Sequence, residues 1–478
     1  MKTTFKPFAS TFLLAILNLT LFSCTNSKPI DKSVAPSQGD EYYRLSSVQI
    51  DEDNVVFDDF TTGVNYDYWF IGSGAWGSGN GGVVPDNVFY TEDGYLLLRG
   101  NGMYYSKNDV KGVGTLKDGR NTGAVIISKF NCRPGHYEVK MKPLLRKGAC
   151  TALWTYTNRE NPESEERDNH EIDIELPGGN QSGSISFKNI LNTNYVTEAK
   201  AISQDVVLEN VTHGKVINLN DGKFHTFGFD WYTDPELVVY FIDGYVSAVS
   251  DTYVPSLESK LWLGNWFPNN SAFVGMSQFE TDYMVVDYIS YLPFLNQPYV
   301  TWNADVTVAT ANKSLYPTSP ITLPKANLVA NGDFEYFTRK GVVDGYGWSY
   351  AKLAGYKNVE ISDVCFPTLT DGNEESAGAT IKEGGYLSAS VDSVYAGQNF
   401  RLSLDAKSSG SSSKVIVRYR DNSDSSISSD NIEITSSDYQ RISKEITAPE
   451  TCYSILIQVY NQEADTVINI DNFYLERI

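Results

Sequence analysis

The chain is poor in histidine, cysteine and positive charge. Four His and five Cys among 478 residues suit a histidine-rich metal enzyme badly, and the cysteine spacing matches no zinc pattern. Lys and Arg total 38 against 59 Asp and Glu, a net charge of −21. Phosphate backbones are held by basic stripes, so this balance argues against a nucleic-acid partner and, more weakly, against sulfated polymers. Helical periodicity is nearly absent, and no long apolar run follows residues 12–22. Apolar and aromatic material is plentiful: 41% hydrophobic and 13% aromatic, with 31 Tyr and 8 Trp. With 20% charged residues, that composition builds packed cores and excludes disorder over most of the chain. At about 150 residues per domain, roughly three domain-sized units are expected. The mix points to an all-β protein with stacking surfaces.

The N-terminus reads as a sorting signal. Lys2 and Lys6 precede the apolar stretch 12–22, which is too short to span a bilayer but fits a signal-peptide core. Leu21-Phe22-Ser23-Cys24 resembles a bacterial lipobox. The resemblance implies a signal peptide over residues 1–23, cleavage before Cys24, lipidation of its thiol and a polar tether over 24–48. Two or three acyl chains would anchor the protein firmly, since one chain binds only marginally. The expected location is therefore lipid-anchored on a bacterial outer membrane, at the cell surface. Cys132, Cys150, Cys365 and Cys452 remain. Cys365 and Cys452 are a candidate disulfide, with two buried thiols as the equal alternative.

Residues 49–294 form a series of short alternating segments. Tyr137, Val139 and Met141 alternate with charged or polar residues, and so do Phe227, Phe229 and Trp231. Val239 and Phe241 lead into Asp243-Gly244, a hairpin signal. Residues 295–325 contain Pro298, Pro317, Pro320 and Pro324 among Ser and Thr and read as a linker of restricted flexibility. A second all-β region covers 326–478, with strand patterns at Phe400, Leu402 and Leu404, at Val415, Val417 and Tyr419, and at Ile455, Ile457 and Val459.

The sharpest feature is His170-Glu171-Ile172-Asp173-Ile174-Glu175-Leu176-Pro177-Gly178. On a strand, Glu171, Asp173 and Glu175 share one face and the three aliphatics share the other. Mutual repulsion raises at least one carboxyl pKa, leaving a proton donor beside an ionised neighbour. Glycoside hydrolysis needs that division of labour. A solvated β face or an oxygen-ligand metal site is the alternative reading of the same spacing. His170-Glu171 without a second spaced His is not a zinc protease motif, and His170 is expected to make a structural or outer hydrogen bond.

Glu-Ile-Asp-Ile-Glu resembles the active-site signature of glycoside hydrolase family 16, in the form found in bacterial lichenases. Pro134-Gly135-His136-Tyr137-Glu138-Val139-Lys140-Met141-Lys142-Pro143, Ala152-Leu153-Trp154-Thr155-Tyr156-Thr157, Phe224-His225-Thr226-Phe227-Gly228-Phe229-Asp230-Trp231 and Val239-Tyr240-Phe241-Ile242-Asp243-Gly244 resemble family strands in the right order. The resemblance implies a concanavalin A-like β-jelly-roll sandwich with a cleft on its concave sheet. It also implies an endo-acting, retaining β-glycosidase, with Glu171 as nucleophile, Glu175 as general acid/base and Asp173 tuning both. Trp154, Tyr156, Trp266 and Asn80 stand where family members contact sugar. No cofactor is implied for catalysis. The four-residue step from Glu171 to Glu175 spans about 13 Å on a straight strand. A retaining pair stands about 5–5.5 Å apart, so curvature must close the gap. The uncharged segment 123–128 replaces a Glu and an Arg found in lichenases, and 161–169 is a Glu-rich insertion. Mixed-linkage β-1,3-1,4-glucan or β-1,3-glucan is the first expectation, with a β-galactan or host O-glycan as the alternative. A non-catalytic surface glycan-binding lipoprotein is the reading from another class.

Asn327-Leu328-Val329-Ala330-Asn331-Gly332-Asp333-Phe334-Glu335 and Asn469-Ile470-Asp471-Asn472-Phe473-Tyr474-Leu475 resemble the opening and closing strands of the family 4 and 22 group of carbohydrate-binding modules. The resemblance implies a second, smaller β-sandwich whose Glu335 and Asp471 hold a structural calcium. Trp348, Tyr350 and Tyr356 are candidates for sugar stacking or for the core. The expected partners are a polysaccharide and, through the lipid, a membrane; the protein is expected to be a monomer.

Overall fold

A computed structural model describes residues 30–161, 165–178, 189–212, 219–335, 348–352, 364–394, 396–421 and 423–478. Cys24 and Tyr356, the side chain of Tyr350 and part of the 161–169 insertion lie outside the described residues.

The chain is all-β. The longer strands of its first body are β1 (Leu96–Asn101), β2 (Thr122–Ser128), β3 (Gly135–Lys142), β4 (Cys150–Arg159), β5 (Asp168–Pro177), β6 (Asn189–Thr197), β7 (Lys200–Val207), β8 (His225–Thr233), β9 (Glu236–Ile242), β10 (Tyr245–Ser250), β11 (Lys260–Trp266) and β12 (Thr281–Pro293). They pair in the order β7-β6-β5-β4-β11-β2 on one face and β1-β12-β3-β8-β9-β10 on the other. The faces meet where Asn101 of β1 pairs with Thr122 of β2. Alternation explains the layering. Ile172, Ile174 and Leu176 of β5 join Leu153, Leu261 and Leu263 from its neighbours in a core shared with Phe227, Phe229, Trp231 and Tyr240 of the opposite sheet. The hairpin between β9 and β10 turns at Asp243 and Gly244, with φ of 45° and 82°, as a two-residue turn with both φ positive requires.

Both flanks of this sandwich differ from the expected spacers. Tyr42, Tyr43, Leu45 and Val48, within the expected tether, pack on Tyr232, Leu237, Val246 and Phe294 of the outer sheet. The Tyr42 hydroxyl donates to Asp230, a carboxylate also held by Tyr232. Within the expected linker, Tyr316 is buried in the main core and its hydroxyl accepts the Ile71 N–H at 3.2 Å. Ala311 N–H donates to Ile71 O at 2.8 Å, and Ile321 N–H to Tyr90 O at 2.9 Å. A few apolar residues at irregular intervals, satisfying open strand edges, hold a segment that composition alone reads as a spacer.

The second body is a sandwich of two five-stranded sheets. Its strands are β13 (Trp348–Lys352), β14 (Cys365–Thr368), β15 (Gly378–Lys382), β16 (Gly385–Val391), β17 (Asn399–Ser408), β18 (Ser413–Arg420), β19 (Ser426–Ile434), β20 (Gln440–Thr447), β21 (Ser454–Tyr460) and β22 (Val467–Arg477). The sheets run β13-β16-β21-β18-β19 and β14-β15-β22-β17-β20. Trp348 fills the core between Phe334 and Phe473, so it is not a surface stacking residue. Cys452 is a buried free thiol, so the candidate bridge to Cys365 is not formed.

The two sandwiches are joined through a buried arginine. Arg146, in the β3–β4 connection, is fully buried and lies over the Phe279 ring at 4.7 Å. Its guanidinium reaches Asp282 of β12 at 3.5 Å and Asp392 of the second body at 3.2 Å. Arg477 of β22 closes on the same Asp282 at 3.1 Å. Removing one partner of a buried ionic network costs about 3–5 kcal/mol, because the other charges stay desolvated. Arg146→Ala is therefore expected to destabilise the protein by about 3 kcal/mol in denaturant unfolding. A change below about 0.5 kcal/mol would show that this junction does not hold the two bodies.

Candidate active site

Strand β5 places the acids. It pairs with β4 so that Tyr156 faces Glu171, Trp154 faces Asp173 and Ala152 faces Glu175. On its other side β6 sets Tyr195, Thr193 and Leu191 against the same three acids. Strand β11 sets Trp262 against Trp154. A strand pair in register keeps opposed side chains on one face, so these rows form the floor of a single cavity of about 590 Å³. All three acids line it, with Trp76, Trp154, Tyr156, Trp262 and Trp266. Glu171 and Glu175 thus open into the same space, as a catalytic pair must.

The aromatic floor is built at right angles to its wall. Trp154 and Trp262 stack at 5.5 Å with 23° between planes. Trp76 meets Trp262 edge-on at 6.2 Å and 83°, and lies 5.7 Å from Trp266. Trp262 Nε1 is buried with no partner among the described residues, a donor left over for a ligand. Asn80 does not line the cavity. Its amide donates to Trp76 O at 3.0 Å and its Oδ1 accepts the Gly82 N–H at 3.0 Å, so it shapes the loop that presents Trp76.

Burial dominates the electrostatics. At the roughly 7 Å between same-face neighbours on a strand, two unit charges repel by about 2.4 kcal/mol at an effective dielectric near 20. Full ionisation of the row is disfavoured before desolvation is counted. The Asp173 carboxyl is pushed well above the usual range, first by burial and then by the charges of Glu171 and Glu175. Burial also raises Glu171, opposed by hydrogen bonds from the Tyr195 hydroxyl and from Asp173. Burial raises Glu175, opposed among the described residues by the Cys150 thiol 3.9 Å away. Glu171 therefore has the stronger donors for its charged form, yet burial leaves both glutamates raised, Glu171 to about 8 and Glu175 to about 7.

His170 points the other way along the strand. Its Nδ1 accepts the N–H groups of Ser256 and Leu257 at 3.0 and 3.2 Å, and burial lowers its pKa to about 4. It is a neutral strut outside the cavity, in line with the expected structural role.

The acids expected to hold calcium converge on the turn at residues 373–377. Glu335 accepts the Ala377 N–H at 3.0 Å. Asp471 accepts the Asn373 N–H at 2.9 Å and the Ser376 hydroxyl at 2.8 Å. The neighbouring Asp405 is faced by Arg441 at 3.3 Å. Oxygens committed to N–H and O–H donors beside an arginine do not fit a shell of six to eight oxygen ligands. Among the described residues no group of three or more acidic, His or Cys side chains is placed to hold a metal ion.

Residues 93–284 match the family described as Glycosyl hydrolases family 16. Over that stretch the chain is similar to glycoside hydrolase family 16. The Beta-glucanase of Bacillus subtilis (strain 168) is 26% identical over 135 residues, covering 28% of this chain and 46% of that protein. The Beta-glucanase of Bacillus amyloliquefaciens is 27% identical over 135 residues, covering 28% and 47%. The chain spans about half the length of the curated relatives it matches. Among solved structures, the Bacillus licheniformis beta-glucanase is 20% identical, with 50% of this chain and 97% of that one covered and a TM-score of 0.38. The endo-beta-1,3-glucanase from Pyrococcus furiosus is 19% identical, with 54% and 99% covered and a TM-score of 0.41.

Sequence reasoning missed Tyr195, Trp262 and Trp76, which also line the cavity. Trp262 was readable, since it lies four residues before Trp266 on one strand and so shares its face. Tyr195 and Trp76 reach the cavity through strand pairing and a loop path that no local pattern carries.

Two predictions follow from the acid row. Tyr195→Phe removes a donor that favours ionised Glu171, so the acidic limb of the kcat/KM profile is expected to move up by about one pH unit; an unmoved limb would place the tyrosine outside that ionisation. The second concerns stability. Unfolded carboxyls release their protons near pH 4, whereas the folded row holds protons to higher pH. The folded state then binds more protons, and stability falls as pH rises through the folded pKa values. The unfolding midpoint is expected to decline from pH 5 to pH 9, and Asp173→Asn to flatten that decline.

Proposed function

We propose that the chain is an endo-acting retaining β-glycosidase that hydrolyses a β-linked glucan, mixed-linkage β-1,3-1,4-glucan or β-1,3-glucan. The observation that carries this reading is one cavity lined by Glu171, Asp173 and Glu175 over a floor of Trp and Tyr. The two Bacillus relatives, both named Beta-glucanase, support the choice of glucan. Aromatic faces pack against the apolar faces of pyranose rings, which favours a sugar over a peptide or nucleotide.

In the first step the Glu171 carboxylate attacks the anomeric carbon, and the Glu175 proton passes to the leaving oxygen as the glycosidic bond breaks. Asp173 and Tyr195 hold Glu171 by donating hydrogen bonds to it. In the second step Glu175, now a carboxylate, takes a proton from water as the water attacks the glycosyl–Glu171 ester. The bond to Glu171 breaks with retained configuration and Glu175 regains its proton. Lipidation at Cys24 would hold this activity at a bacterial outer membrane, facing the polymer. The second sandwich would serve as a glycan-binding module on the same protein.

Incubation with barley β-glucan, laminarin, agarose and mucin O-glycans tests the reading. Oligosaccharide release is expected from the glucans, and Glu171→Gln is expected to lower kcat by at least about a thousandfold. Release from agarose or mucin alone would move the substrate to a galactan or host glycan. No turnover on any polymer, with binding retained, would replace the enzyme by a surface glycan binder.

A further inference from the structure

The cavity has a wall that comes from the chain after the last long strand of the first sandwich. Ala309 lines it, although the family match ends at residue 284. Asp305 fixes the approach by accepting the Thr307 N–H at 2.9 Å and its hydroxyl at 2.7 Å. Thr307–Ala309 then make a single 3-10 turn. Val306 is buried in the apolar cluster that contains Trp154 and Trp262. The turn is tied to the sandwich through its backbone: Ser73 N–H donates to Ala309 O at 2.8 Å, and Ala311 N–H to Ile71 O at 2.8 Å. It thereby backs the loop that carries Trp76. A Cβ at Gly74 would stand 3.7 Å from the Ala309 Cα, which shows how closely the two run. Beside Ala309, Val308 is 90% exposed.

We propose that residues 305–311 form the outer wall of a sugar subsite and set how many glycan units bind on the Trp76 side of the catalytic acids. Together, Trp76 and Ala309 bound this end of the cavity, with the Trp154–Trp262 floor beneath. A pyranose ring of a β-linked glycan would lie there with its apolar face on an indole and its edge against Ala309. The small Ala309 side chain leaves that room, and a large one would remove it. The inference rests on the glycosidase reading above and adds the segment that limits chain length.

The test uses the full chain and reducing-end-labelled β-glucan oligosaccharides of graded length. Wild-type kcat/KM is expected to rise with length to a plateau. In Ala309→Trp the plateau should come at least one unit earlier, with KM for the polymer raised about tenfold and kcat within about twofold, since uniform binding is lost and the acids are untouched. Ala309→Leu should give a smaller shift in the same direction and serves if the tryptophan variant does not fold. A length profile and polymer KM unchanged in a folded variant would overturn the wall. A wild type that cleaves no glycan polymer would instead overturn the glycosidase reading.

Discussion

Three carboxyls on one desolvated strand face cannot all carry charge, and the rest of the site is arranged around that constraint. Asp173 sits in the middle, where both neighbours disfavour its ionisation, and so becomes a donor to Glu171. Tyr195 brings a second donor to the same carboxylate from the adjacent strand. Among the described residues Glu175 is met by a weak thiol contact from Cys150. Similar carboxyls on one strand are therefore given different hydrogen-bond partners by the elements that flank them.

The same strand shows how much chemistry is legible in a linear pattern. Period-two alternation put Glu171, Asp173 and Glu175 on one face and Ile172, Ile174 and Leu176 in the core. Alternation at Tyr137, Val139 and Met141 and the Asp243-Gly244 turn were readable for the same reason, because strand geometry is local. Trp154, Tyr156 and Trp266, which resemble family sugar contacts, do line the cavity.

What was not legible depends on partners far away in sequence. Asn80 resembled a sugar contact, yet its polar atoms are engaged by Trp76 and Gly82. Glu335 and Asp471 resembled metal ligands, but their oxygens take up backbone and hydroxyl donors from a turn whose position the pattern did not disclose. The proline-containing stretch between the sandwiches read as a spacer because composition reports stiffness and solvation. It cannot report that Tyr316 and Val306 find cavities in an already folded surface.

That last feature bears on how such proteins can be recombined. A segment that separates two bodies in sequence normally offers a neutral cut point, where a catalytic unit can be exchanged for another without loss. Here residues 305–321 carry a cavity-lining side chain and complete the edge of the first sandwich. Arg146 then locks the second body to the loop before β4. A graft made at the end of β12 would transplant a sandwich with an open flank and a missing wall. The natural unit of exchange runs past the proline-rich stretch, and its boundary is set by contacts in space.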